Sequence, residues 1–220
     1  NASRILAVNG DAKVVAKDSI LNTSITADGA VTVAATAIDG GAIIAESGIV
    51  DITAAQIANT SITAETDNVE FGTGTGDLYN LTVTAGGEIA GAAVTGNIVQ
   101  GDYLATGDIT FEAANLIASA SFDSGDDVVL KAVDTIKLVD VKANDAAILE
   151  AAGIDGATVI AENGDVTLTA DQIAASTITA EIGTVEFGAG TGDLYNLTVT
   201  AGDAIEGTAV SGNINGGNYL

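Results

Sequence analysis

Cysteine, histidine, methionine, tryptophan and proline are all absent from the 220 residues. With them go disulfides, the commonest nucleophile and general base, and the soft metal ligands. Any catalysis would have to run on carboxylates, tyrosine, serine, threonine or six basic residues. Positive charge is nearly as scarce. Six Lys+Arg stand against 30 Asp+Glu, a formal net charge of −24. A field of that sign repels nucleic-acid phosphates and anionic lipid headgroups, so neither is expected as a partner. No apolar run approaches the roughly 18 residues that a membrane helix needs. The opening NASRILAVNG has neither the charged region nor the apolar stretch of a signal peptide.

What is present is apolar and periodic. At 47% hydrophobic content the chain can bury a sizeable core, which sets it apart from acidic disordered sequences. VEFGTGTGDLYNLTVTAG, from Val69, returns as VEFGAGTGDLYNLTVTAG from Val185, displaced by 116 residues. GNIVQGDYL, up to Leu104, returns as GNINGGNYL up to Leu220 with the same displacement. From Ile38–Leu104 to Ile154–Leu220 the alignment needs no gap, and roughly two positions in three are identical. Residues 1–116 are therefore read as a first repeat, and 117–220 as a second, short of completion by about 12 residues.

A shorter period lies inside the long one. One ladder runs Ile20, Ile38, Ile57, Leu78, Ile98, Ile117, Ile136, Ile154, Ile173, Leu194, Ile214. A second runs Leu6, Ile25, Ile43, Ile62, Val83, Tyr103, Phe122, Val141, Val159, Ile178, Val199, Tyr219. From Ile20 and Ile25 onward both step by 18, 19, 21, 20, 19 and 19 residues, which makes six unequal coils per long repeat. Period-2 alternation within each coil, as in Val50/Ile52 and Val166/Leu168, marks β-strands that point alternate side chains inward. Gly, Asp and Asn between the strands mark turns. A hairpin sandwich places no demand on one position in every nineteen or so, whereas parallel coils stacked about 4.8 Å apart do. The expected fold is all-β: a parallel β-helix, or β-solenoid, of about eleven coils of 18–21 residues, roughly 50 Å long.

GDVTLTADQIAASTITAE (Gly164–Glu181) and its counterpart GIVDITAAQIANTSITAE (Gly48–Glu65) resemble the coil unit of filamentous-haemagglutinin-type exoproteins of two-partner secretion systems. Autotransporter passengers share that coil grammar. The resemblance implies a right-handed β-helix, passage through an outer membrane and an extracellular or cell-surface role as an adhesin or matrix fibre. It carries no site residues over to this chain.

By the repeat, whatever follows Leu220 is expected to resemble ATGDITFEAANL, the stretch Ala105–Leu116. Neither end shows the polar cap of a free solenoid, so the expected partners are neighbouring repeats of the same chain or copies of itself end to end. The function expected is that of a secreted structural repeat in an open-ended filament, with a solenoid that binds calcium, glycan or ice as the alternative.

Candidate chemistry is sparse. The glycine-rich 72–79 and 188–195 lack the helix and lysine of a phosphate loop and are read as widened turns. Acidic residues recur at coil corners, Asp108, Asp127 and Asp165 before strands and Glu46, Glu65, Glu162 and Glu181 after them. Calcium takes six to eight oxygens, and the nonapeptide of calcium-binding β-rolls is missing. Threonine pairs such as Thr63 with Ser61 and Thr82 with Thr84 suggest an ice-binding ladder, which Ala42/Ile44 and Asp102/Leu104 interrupt. Lys and Arg avoid the more similar portions of the two copies, which argues against an enzyme cleft. Sequons begin at Asn1, Asn22, Asn59, Asn80 and Asn196, and the equivalent pair Asn80 and Asn196 is the candidate for glycosylation.

Overall fold

The computed structural model describes residues 3–188, 190–207 and 211–220, with 92–94 described as backbone only. The described strands form one parallel sheet wound on itself into a solenoid of about 11 turns, without a helix. Each turn has three faces. In one coil these are Val128–Ala132, Thr135–Lys137 and Asp140–Ala143. The next lays Ala147–Glu150, Gly153–Asp155 and Thr158–Ala161 over them residue for residue. In earlier coils the faces merge into long bent strands such as Val31–Ala45 and Val50–Ala64.

The first ladder is the second face. Ile38 pairs with Ile20, Ile57 with Ile38, and the pairing continues through Leu78, Ile98 and Ile117 to Ile214. The second ladder is the third face from Ile25 onward, but its first rung is Ile5 and not Leu6. The cause is a longer corner. Four residues, Val8–Asp11, separate the paired Ala7 and Ala12, where three, Asp28–Ala30, separate Ala27 and Val31. The extra residue slides the first strand by one position, and a one-residue slip exchanges inward for outward side chains.

A third column, Val31, Val50, Val69, Ile89, Ile109, Val128, Ala147, Val166 and Val185, closes the interior from the first face, each residue fully buried. Parallel strands buried in this way draw their stability from continuous aliphatic stacking. Truncating one rung to alanine costs about 2–5 kcal/mol, because the coils above and below hold the cavity open. Leu116–Ser124 spans the junction of the two long repeats, pairing with Ile98–Ala105 on one side and with Thr135–Lys137 and Asp140–Ala143 on the other. The stack therefore continues unbroken across it.

Candidate functional site

The sharpest feature of every coil is its second corner. The residue two positions after the ladder Ile or Leu has φ between +47° and +71° in all eleven coils: Asn22, Gly40, Asn59, Asn80, Gln100, Ser119, Leu138, Gly156, Ala175, Asn196 and Gly216. One left-handed residue turns the chain from the second face to the third. The residue after it then points into the core, as Thr60, Leu81, Val139, Ser176 and Leu197 do. Where that residue is polar its hydroxyl is satisfied two residues back, Thr60 Oγ1 donating to the Ala58 carbonyl and Ser176 Oγ to that of Ala174, both at 2.7 Å.

Asparagine tolerates this backbone better than most residues, and here its side chain also bonds along the axis. Asn59 Nδ2 donates to Asp39 Oδ1 at 2.8 Å, and Asn80 Nδ2 donates to Asn59 Oδ1 at 2.9 Å. The sequon residues Asn22, Asn59, Asn80 and Asn196 thus all stand in one exposed column of corners. Asn1 lies outside the described residues. The left-handed turn accounts for asparagine at these four places without any modification, while Asn80 and Asn196 do present their side chains to solvent.

A second column precedes the first face. Asp11, Asn68, Asp108, Asp127 and Asp165 each accept a backbone N–H from the following coil, at 2.7–3.1 Å. Asp77 and Asp193 do the same ahead of the second face, toward the N–H of Asn97 and Asn213. The Asn213 N–H, together with the Tyr195 hydroxyl at 3.2 Å, holds the Asp193 carboxyl below its ordinary range. These acids are coil-to-coil braces, a role that their recurrence at corners announced without revealing its geometry.

Asp126, Asp127 and Asp145 gather so that one oxygen from each lies within 4.8 Å of the others. Desolvation, followed by the charges of Asp108, Asp127 and Asp145, pushes the Asp126 carboxyl up. Three exposed or half-buried carboxylates supply about half the oxygens that calcium takes. Two of the crowded acids are already engaged with the chain: Asp108 and Asp127 each accept a backbone N–H.

The glycine-rich 72–76 and its copy, described at 188 and 190–192, are widened turns as expected. Thr75 and Thr191 are fully buried at their centres, bonded to the carbonyls of Ile52 and Leu168 at 3.2 and 3.1 Å. Gly76 and Gly192 pass so close to the preceding coil that a Cβ would lie 2.1 Å from the carbonyl oxygens of Ala55 and Asp171. The backbone amides there are spent on the neighbouring coil: Gly76 N–H donates to the Ala54 carbonyl and Gly192 N–H to that of Ala170.

The remaining charged side chains pair across coils. Lys131 stands between Glu112 and Glu150 in register and reaches Glu150 at 3.2 Å, beside an open trough of about 480 Å³ that also meets Val133, Ala151 and Asp171. Lys142 reaches Glu162 at 3.0 Å, and that carboxylate pushes the lysine's pKa up. The threonine array is broken where expected, Ile44 lying between Thr26 and Thr63 and Leu104 following Thr84. No known protein family, curated protein or solved structure matches the chain.

Proposed function

We propose that this chain is a structural repeat segment of a secreted or cell-surface fibre, an adhesin stalk or matrix filament built from many such coils. The observation that carries this reading is the residue-for-residue stacking of successive coils, kept through coil lengths of 18 to 21 residues by one aliphatic ladder and one left-handed corner. A cross-section that repeats without change supports lengthening by addition of coils, and each added coil contacts only its neighbours. The acidic surface supports life in solution as a separate rod, since like charges oppose lateral collapse. Negative-stain microscopy of the native material, with its mass on a denaturing gel, tests the proposal. Thin unbranched filaments far longer than about 50 Å are expected. Discrete rods whose length does not grow with concentration or chain mass would sink it.

A second reading, a solenoid that binds calcium, is favoured by the Asp126, Asp127 and Asp145 group. It requires calcium to raise the melting temperature well above what magnesium achieves at equal ionic strength. Equal effects of the two ions would leave only screening.

A further inference from the structure

The core of the first repeat contains a cluster of four rings drawn from three successive coils. Phe71 belongs to one, Tyr103 to the next, and Phe111 and Phe122 to the one after. Tyr103 stacks on Phe122 with ring centres 5.0 Å apart and planes 8° from parallel, and meets Phe111 edge-on at 5.0 Å. The device that lets the cluster close is Gly91. It pairs with Phe111 on one side and follows Ala90, which pairs with Glu70 next to Phe71, on the other. Two coil steps would hold Phe71 and Phe111 about 9.6 Å apart. With no side chain between them, the rings lean together to 5.8 Å.

The second repeat builds the lower half of the same cluster. Phe187, Gly207 and Tyr219 stand 116 residues beyond Phe71, Gly91 and Tyr103. Their register is also the same, Gly207 pairing with Phe187 and Tyr219 with Val199 as Tyr103 pairs with Val83. Even the ring placement matches: a Cβ on Gly101 or on Gly217 would lie 3.2 Å from Cε2 of the tyrosine two residues on. The cover differs. Tyr103 is 1% exposed and Tyr219 37%; Ile98 is 0% exposed and Ile214 58%.

We infer that the face formed by Phe187, Gly207, Ile214 and Tyr219 is a half-built aromatic cluster, and that its partner is a further coil of this repeat with aromatic rings at the positions of Phe111 and Phe122. The inference rests on the fibre reading and narrows it: the array lengthens by further coils of this repeat, with the ring pair recurring, and not by copies of this segment stacking head to tail. The first coil of a second copy would bring Val14 and Ile5 to those two positions, since Val14 pairs into the column of Val33 and Ile5 into that of Ile25. Aliphatic side chains there lack the planar surface on which Tyr103 stacks and the reach to fill the space over the glycine.

The test uses the full chain, alone and extended at its C-terminus by a copy of residues 105–124. A second extension carries Val and Ile in place of the two copied phenylalanines. Tyrosine ionisation, read by absorbance, counts the covered rings without tryptophan interference, and thermal melts report the fit. The chain alone is expected to titrate three of its 4 tyrosines before unfolding, Tyr103 being held back. The aromatic extension is expected to lower that count to two and to melt several degrees above the Val/Ile extension. Should the first extension fail to fold, the double variant Phe111→Val with Phe122→Ile in the 220-residue chain makes the same comparison at the internal junction, where a melt several degrees lower is expected. Equal melts of the aromatic and Val/Ile forms would overturn the inference. So would a Tyr219 that stops titrating as the unextended chain is concentrated, because a second copy would then fit the face. Filament length is read separately by microscopy: a protected Tyr219 without long filaments would keep the interface and fail the fibre.

Discussion

Asn80 donates its side-chain amide to Oδ1 of Asn59 at 2.9 Å, although 21 residues separate them, because both occupy the left-handed corner of successive coils. One position therefore does two jobs, turning the chain and bonding along the axis. The two can be separated. Asn80→Gly keeps the turn and loses the bond, whereas Asn80→Ala loses the bond and strains the turn. Alanine is expected to cost about 1–2 kcal/mol more than glycine in chemical denaturation. Equal costs would show that the corner is not under backbone control.

Leu138 occupies the same corner at φ +51° with its side chain 62% exposed, a poor residue for that backbone. Leu138→Asn is expected to stabilise the protein by about 1 kcal/mol, read as a higher denaturation midpoint at unchanged slope. A loss of stability would mean that the leucine packs to advantage over Gly156, whose Cβ position lies 2.9 Å from Leu138 Cδ2.

Tyr103 is the ring at the centre of the aromatic cluster, and its hydroxyl is buried without a hydrogen-bond partner among the described residues. Burial, with Asp102 nearby, pushes its pKa far above the ordinary tyrosine value. Removing the hydroxyl while keeping the ring should help: Tyr103→Phe is expected to gain about 1–2 kcal/mol, and Tyr103→Ala to lose about 3–5 kcal/mol. A destabilised phenylalanine variant would reveal a partner for the hydroxyl.

The pH dependence has opposite signs at two aspartates. Asp193 is held below its ordinary value, so its contribution is fully present above the unfolded pKa and is lost as pH falls through the folded one. Asp126 is pushed up, so the folded protein binds that proton more tightly, and stability falls as pH rises from the unfolded pKa through the folded one. Asp126→Asn is accordingly expected to raise the melting temperature at pH 7 and to leave it unchanged at pH 3. A gain that persists at pH 3 would assign the effect to packing.

Net charge sets the response to salt. With −24 on the rod, raising sodium chloride from about 0.02 to about 0.5 M is expected to raise the melting temperature by several degrees through screening of like charges. A fall would mean that the pairs Lys131–Glu150 and Lys142–Glu162 outweigh the general repulsion.

The aliphatic ladders could be read from the sequence because their chemistry is uniform: only Ile or Leu occupies the second face from Ile20 to Ile214. Leu6 was misplaced because the corner ahead of Ala12 carries one residue more than its neighbours, and apolar character at both Ile5 and Leu6 hides the slip. The corner column was not legible as a column. Its residues range from asparagine and glycine to leucine and alanine, and what unites them is a torsion angle. Aligning coils on the ladder and reading two positions on would have found it, since Asn or Gly stands there at Asn22, Gly40, Asn59, Asn80, Gly156, Asn196 and Gly216. The ring cluster was hidden for another reason. Phe71 and Phe111 lie 5.8 Å apart only because Gly91 between them has no side chain, and an absence leaves no mark in a hydrophobic pattern.

The braces that join one coil to the next all run along the rod: the ladder hydrogen bonds, the Asp127-to-Ala146 bond, the Asn80-to-Asn59 bond. Tension applied at the two ends therefore loads the outermost coil first and leaves the rest slack. Such a rod gives way as a zipper does, one tooth at a time. Each released coil of 18–21 residues pays out roughly 60–70 Å of chain in exchange for about 4.8 Å of rod. The filament would absorb a sudden pull by lengthening in small, similar increments instead of snapping.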